Sequence, residues 1–177
     1  MKTFLVTTLF LAAAVAAAKD STPPTLKSIL LEQLKTTHNV QDWFVPAKQS
    51  LEGLTVEQAN WKDGKGNHSI AQLVVHITFW DQQNLAKFKG EKPSAYSGNN
   101  DETFAGNVDK TSWEAAVRQL DAVMTDWEKA IEAADDQKLQ SWYSTIAHIS
   151  AHNAYHTGQI LYIRKQQGSW DASKGVK

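Results

Sequence analysis

Thr111-Ser112-Trp113-Glu114 opens the stretch whose reading decides the fold. From Trp113 the apolar positions run Val117, Leu120, Met124, Trp127 and Ile131. Steps of three and four are kept over about five turns, the spacing of a helix that lays one seam against its neighbours. A threonine followed three residues later by glutamate is a capping-box pattern, so the helix is expected to start there. Its tryptophans are expected in the core of a bundle rather than around a cofactor.

Upstream of this seam, residues 93–110 are polar and include Ser94, Ser97, Gly98, Asn99, Asn100 and Asp101. They predict a long loop, and loops of that length in a small domain often serve as covers over a site. Ser69-Ile70-Ala71-Gln72 is a second capping box, followed by Ile70, Leu73, Val74, Ile77, Leu85 and Phe88 at helical spacing. Gly90 suits the end of that helix and Pro93 bars its continuation. Further back, Leu26, Leu30, Leu34, Val40 and Phe44 predict a first helix, with Ile29 and Trp43 widening the stripe. Pro46 either kinks that helix or ends it. Downstream, Ile146, Ile149, Ile160 and Ile163 mark a fourth helix from about Ser144 to Gln167, ending at Gly168. No segment alternates like a strand. The expected architecture is all-α, a four-helix bundle.

Composition narrows the chemistry. The 177 residues carry a formal charge of −1 and no cysteine, which removes disulfides, thiolate metal sites and cysteine nucleophiles together. A near-neutral balance without a basic block argues against nucleic acid as a partner. At the N-terminus, Lys2 precedes an apolar run through Phe10 and Leu11 and an Ala-rich end at Ala16-Ala17-Ala18. This order reads as a signal peptide over residues 1–18, removed to leave a single domain over 19–177. The apolar run is shorter than the ~20 residues a membrane span needs. The mature protein is therefore expected to be secreted or periplasmic, with no membrane attachment. Sequencing of protein exported from its native host should begin near Lys19, and an intact Met1 in the soluble cytoplasmic fraction would overturn this expectation.

Histidine spacing carries the chemistry. Of six histidines, His148, His152 and His156 fall on the fourth helix at steps of four. A step of four turns a helix by about 40° net and climbs about 6 Å, so two such imidazoles can share one ion with Zn–N bonds of ~2.1 Å. His148 and His156 stand about 12 Å apart along the axis and cannot. Spacing alone leaves His148/His152 and His152/His156 both open. A third ligand must come from another helix, and His76, mid-helix beside Leu73 and Trp80, is the natural candidate. Three histidines with an open fourth position is the arrangement of catalytic rather than closed structural sites. Imidazole donors suit Zn, Ni, Cu and Fe alike. His38, among Thr36, Thr37 and Asn39, is expected in solvent, as is His68 before Ser69. Metal binding is expected to weaken below the ordinary histidine pKa of ~6.5, because imidazolium cannot ligate. Between His152 and His156 stand Asn153, Ala154 and Tyr155, so the glutamate of the H-E-x-x-H proteases is absent.

The stretch Ser69-Ile70-Ala71-Gln72-Leu73-Val74-Val75-His76-Ile77-Thr78-Phe79-Trp80 and the later Ala151-His152-Asn153-Ala154-Tyr155-His156-Thr157-Gly158-Gln159-Ile160 resemble the DinB-like family. The H-x-x-x-H-x-G-Q ending is the most specific part, and the likeness extends from about Leu26 to Gln167. The resemblance implies a four-helix bundle holding a divalent metal (Zn, Ni or Fe) through His76, His152 and His156. It selects the His152/His156 pair and leaves His148 out. It also implies a homodimer, as in many members. Some relatives are transferases or isomerases that use low-molecular-weight thiols. Such thiols are mainly cytosolic, so the expected export argues against that activity here. Two functions follow: a metal-dependent enzyme of hydrolase or transferase type acting on an unassigned small molecule, or a non-catalytic metal-binding or structural bundle. Gln159 could support a ligand or substrate, although a plain bundle hydrogen bond is the simpler expectation.

Overall fold

The computed structural model describes residues 23–176. The expected signal peptide, residues 1–18, lies outside the described residues. Six α-helices run along the described residues: α1 (Leu26–His38), α2 (Ala47–Leu51), α3 (Val56–Asn60), α4 (Ile70–Lys89), α5 (Lys110–Ala133) and α6 (Asp136–Gln166). Short 3-10 turns occupy Asn100–Thr103 and Ala172–Lys174, and no strand occurs among the described residues. The four long helices form the expected bundle. α1 and α4 each pack against both α5 and α6, which gives a ring order of α1, α5, α4, α6. Of the two short helices, α2 packs on α6 and α1, and α3 on α4 and α5.

The seam of α5 lies where its spacing put it: Trp113, Leu120, Met124, Trp127 and Ile131 are all buried. Trp127 has no exposure at all, and its indole N–H donates to the Asp81 carbonyl at 3.1 Å, which satisfies the one polar group it carries into the core. The start of α5 differs from expectation. Asp109, not Thr111, is the cap, and Ser112 closes the box with bonds of 2.7 and 2.8 Å. A carboxylate accepts the first-turn N–H groups and also favours the positive end of the helix dipole, so it displaces a threonine two residues on.

α1 is shorter than its apolar stripe suggested. It stops at His38, and Val40 and Trp43 lie beyond it, exposed. The hydroxyls of Thr36 and Thr37 bond back to carbonyls one turn earlier, a local pairing that weakens a helix end. Pro46 then serves as the cap of α2 rather than as a kink. α6 starts eight residues before the expected Ser144, capped by Asp135 at 2.8 Å from the Lys138 N–H. The extra turns bury Leu139 completely.

The box at the start of α4 is formed as expected. Ser69 accepts from Gln72 N–H at 3.3 Å and Gln72 Oε1 accepts from Ser69 N–H at 3.0 Å. Gly90 ends this helix in the left-handed region, at φ 76°, where a Cβ would be strained. Ser69→Ala should cost about 1 kcal/mol, read as a lower urea midpoint with unchanged slope. An unchanged midpoint would show that Gln72 alone secures the start.

Candidate metal centre

His76 projects from the middle of α4 and His152 and His156 from successive turns of α6. Their Nε2 atoms converge. His152 Nε2 lies 3.1 Å from His76 Nε2 and 3.1 Å from His156 Nε2. One nitrogen from each ring falls within 4.8 Å of the others, a grouping that could hold a metal ion. Three bonds of ~2.1 Å to one tetrahedral ion would hold the nitrogens about 3.4 Å apart, so the spacing suits the donors.

The far side of each ring decides which nitrogen carries the proton. Thr103 donates its only O–H to the Asn100 carbonyl at 2.6 Å, so at His76 Nδ1, also 2.6 Å away, it can only accept. His76 is therefore protonated on Nδ1 and presents a bare Nε2. His156 Nδ1 donates to Gln159 Oε1 at 2.6 Å, while Gln159 Nε2 donates to Tyr155 Oη at 3.2 Å. His156 Nε2 is bare in the same way. Two lone pairs aimed at a third imidazole nitrogen leave a set of acceptors that a cation completes.

Electrostatics agree. Burial, and secondarily the nearby His156, His152 and His68, push the His76 pKa down to about 3. Burial likewise lowers His156 to about 4, against the opposing bond from Gln159, and lowers His152. His76 and His156 stay neutral, the ligating form, well below pH 6.5, and burial shifts His152 in the same direction, which moves the expected acid limit of metal binding downward.

The loop between α4 and α5 covers the site, as its length suggested. Thr103 is buried beside His76, and Phe104 stacks on the His76 ring with centroids 3.8 Å apart. The exposed His68 stacks at 3.8 Å on Phe104 as well. Gln72, having capped α4, donates from Nε2 to the Phe104 carbonyl at 3.1 Å and fastens the loop. Sequence reasoning missed Thr103 and Phe104; only the length of the loop pointed toward them. Thr103→Val keeps the shape and removes the acceptor. Metal affinity should fall about 10–100-fold, measured by competition with a chromophoric chelator, and an unchanged affinity would deny the hydroxyl an orienting role.

The other predicted residues are placed as follows. His148 is exposed, bonds through Nδ1 to the Ser144 carbonyl at 2.8 Å, and stands outside the trio. Gln159 holds a candidate ligand directly instead of making only a bundle contact. Asn153 is buried and donates to Asp81 Oδ2 at 2.9 Å. The expectation for His38 fails: it is 2% exposed, with Nδ1 2.6 Å from Glu128 and Nε2 3.1 Å from Asp121. Two carboxylates from α5 satisfy both ring nitrogens, which is what allows the burial.

The trio opens on a cleft of about 600 Å³, whose lining also includes Trp80, Asp81, Asn84, His148, Ile149 and Tyr155. The fold and the site together define a helical bundle with a candidate three-histidine centre at the edge of a cleft. The family model of the DinB superfamily matches residues 47–160, which include all three histidines, and the chain belongs to that superfamily. No curated protein and no solved structure matches it.

Proposed function

We propose that this protein is a metal-dependent enzyme of hydrolase or transferase type, with one divalent ion held by His76, His152 and His156. The observation that carries the proposal is the convergence of three imidazole nitrogens at the edge of an open cleft, two of them left bare because Thr103 and Gln159 accept from the opposite ring nitrogen. When bound, such an ion supplies a Lewis acid for a substrate oxygen or sulfur. The chain does the rest. Thr103 and Gln159 fix the tautomers of two ligands, Phe104 shields the His76 ring from water, and the cleft admits a small molecule. A structural metal would instead be closed by a fourth protein ligand, and among the described residues no fourth His or carboxylate joins the trio.

The test is elemental analysis of protein purified without chelators or metal-affinity resins, followed by Co(II) substitution. One equivalent of ion, with a visible spectrum that shifts on adding azide, supports the enzyme reading. A stoichiometric ion whose spectrum ignores azide would support the non-catalytic binder. No uptake of any divalent ion would overturn both.

A further inference from the structure

The cleft beside the histidine trio takes aromatic side chains from two helices, and among the described residues no lysine or arginine lines it. Trp80, from α4, is braced by Phe79 and Tyr96 at ring distances of 5.3 Å each, both edge-on. Its single donor, Nε1, is taken by Asn100 Oδ1 at 3.2 Å. From α6, Tyr155 is 64% exposed and packs at 5.0 Å against the His156 ring, its hydroxyl engaged by Gln159. The Trp80 donor is bonded to protein, and the Tyr155 hydroxyl accepts from Gln159 while keeping its own O–H, so what both residues offer a ligand is chiefly hydrophobic ring surface, with one hydroxyl donor at the edge. Ile149 adds an apolar side chain to the same wall.

The charge pattern is as telling. Among the described residues no lysine or arginine lines the cleft, and the only carboxyl that does, Asp81, is buried against Asn153. Two lysines, Lys62 and Lys65, line a separate pocket of about 460 Å³ beside His68. A ligand bearing phosphates or several carboxylates would meet no counter-charge in the cleft beyond the ion itself. A volume of about 600 Å³ is in the range of sites for small organic molecules.

From these features we infer that the cleft selects an uncharged, ring-bearing molecule that presents one metal-seeking group to the histidine trio and lays its ring between Trp80 and Tyr155. This rests on the proposed metal centre. The test titrates the Co(II)-loaded full chain with three hydroxamic acids sharing one metal-seeking group: acetohydroxamic, benzohydroxamic and 4-carboxybenzohydroxamic acid, followed by the visible spectrum. Benzohydroxamic acid should bind at least about tenfold more tightly than acetohydroxamic acid, since a phenyl buried on an aromatic wall contributes on the order of that factor. The added carboxylate should cancel the gain. Trp80→Leu, shown to be folded by retained helical circular dichroism and full Co(II) uptake, should shrink the difference between the first two to less than about threefold. Equal binding of the first two acids with a normal Co(II) spectrum overturns the aryl selection and leaves the metal centre standing. Tightest binding by the carboxylated acid overturns it in favour of an anion-selective cleft. Failure to take up Co(II) overturns both.

Discussion

A full equivalent of divalent ion is expected on His148→Ala and essentially none on His76→Ala, His152→Ala or His156→Ala. Each of the three contributes one nitrogen to a group spanning 4.8 Å, and His148 stands outside it, tied to its own helix through Ser144. Loss of one of three imidazoles should weaken binding by more than the roughly 100-fold that loss of a supporting hydrogen bond can cost. Thermal unfolding should report the same difference. An ion present at 1,000 times its Kd adds about 4 kcal/mol of stability. For a domain of this size that is on the order of 10 °C. Chelator should therefore lower the melting temperature of the parent protein and of His148→Ala and leave the other three unmoved. Acid should act late. With His76 and His156 held near 3 and 4 by burial, protons do not compete for these nitrogens at pH 5, where exposed imidazoles are charged. Metal released in full between pH 6.5 and 5.5 would contradict this. Retention by His156→Ala together with loss from His148→Ala would move the ligand pair one turn along α6.

Asp81→Asn should stabilise the protein in alkali and leave it nearly unchanged in acid. Asp81 is completely buried, one of its oxygens has no partner, and burial raises its pKa from 3.8 to about 7 against the opposing bond from Asn153. Below about pH 4 the folded and unfolded chains both hold the proton, and the shift costs nothing. Between about 4 and 7 only the unfolded chain ionises, so unfolding grows progressively easier as pH rises. Above 7 the whole cost is present, up to about 4 kcal/mol for a shift of this size. An amide keeps an oxygen for Asn153 and has no charge to bury. Urea unfolding at pH 4 and pH 8 checks the expectation, and equal effects of the substitution at both values would show that the carboxyl is not the titrating liability described.

The parts of this molecule legible in its sequence are those set by neighbours along the chain. The seam from Trp113 to Ile131 needs only the period of a helix, and the Ser69–Gln72 box needs only a spacing of three. The histidine pairs on α6 were visible for the same reason. Choosing between them was not, because that choice depends on which turn faces α4, and the family likeness supplied it. What escaped is non-local. His38 looks solvated among its polar neighbours, yet its two carboxylate partners lie 83 and 90 residues away. Thr103 meets His76 across 27 residues of chain, and nothing in a polar loop marks which hydroxyl will turn inward. The cap of α5 was misplaced because Asp109 and Thr111 are both good caps and only the packed helix decides between them.

The two halves of the centre tolerate change in the chain very differently. His152 and His156 ride on a 31-residue helix whose register is locked by Leu139, Ile146 and Ile160, each fully buried. One residue inserted into α6 between those anchors and the ligands would swing both imidazoles by about 100° and dismantle the site in a single step. The segment between α4 and α5 has no such register to lose. It can lengthen or shorten between Gly90 and Pro93, or between Phe104 and Asn107, while Tyr96 stays against Trp80 and Thr103 and Phe104 keep their hold on His76. Changes in chain length are therefore channelled: the helix that carries the histidine pair admits none, and the cover beside the cleft has short stretches that do.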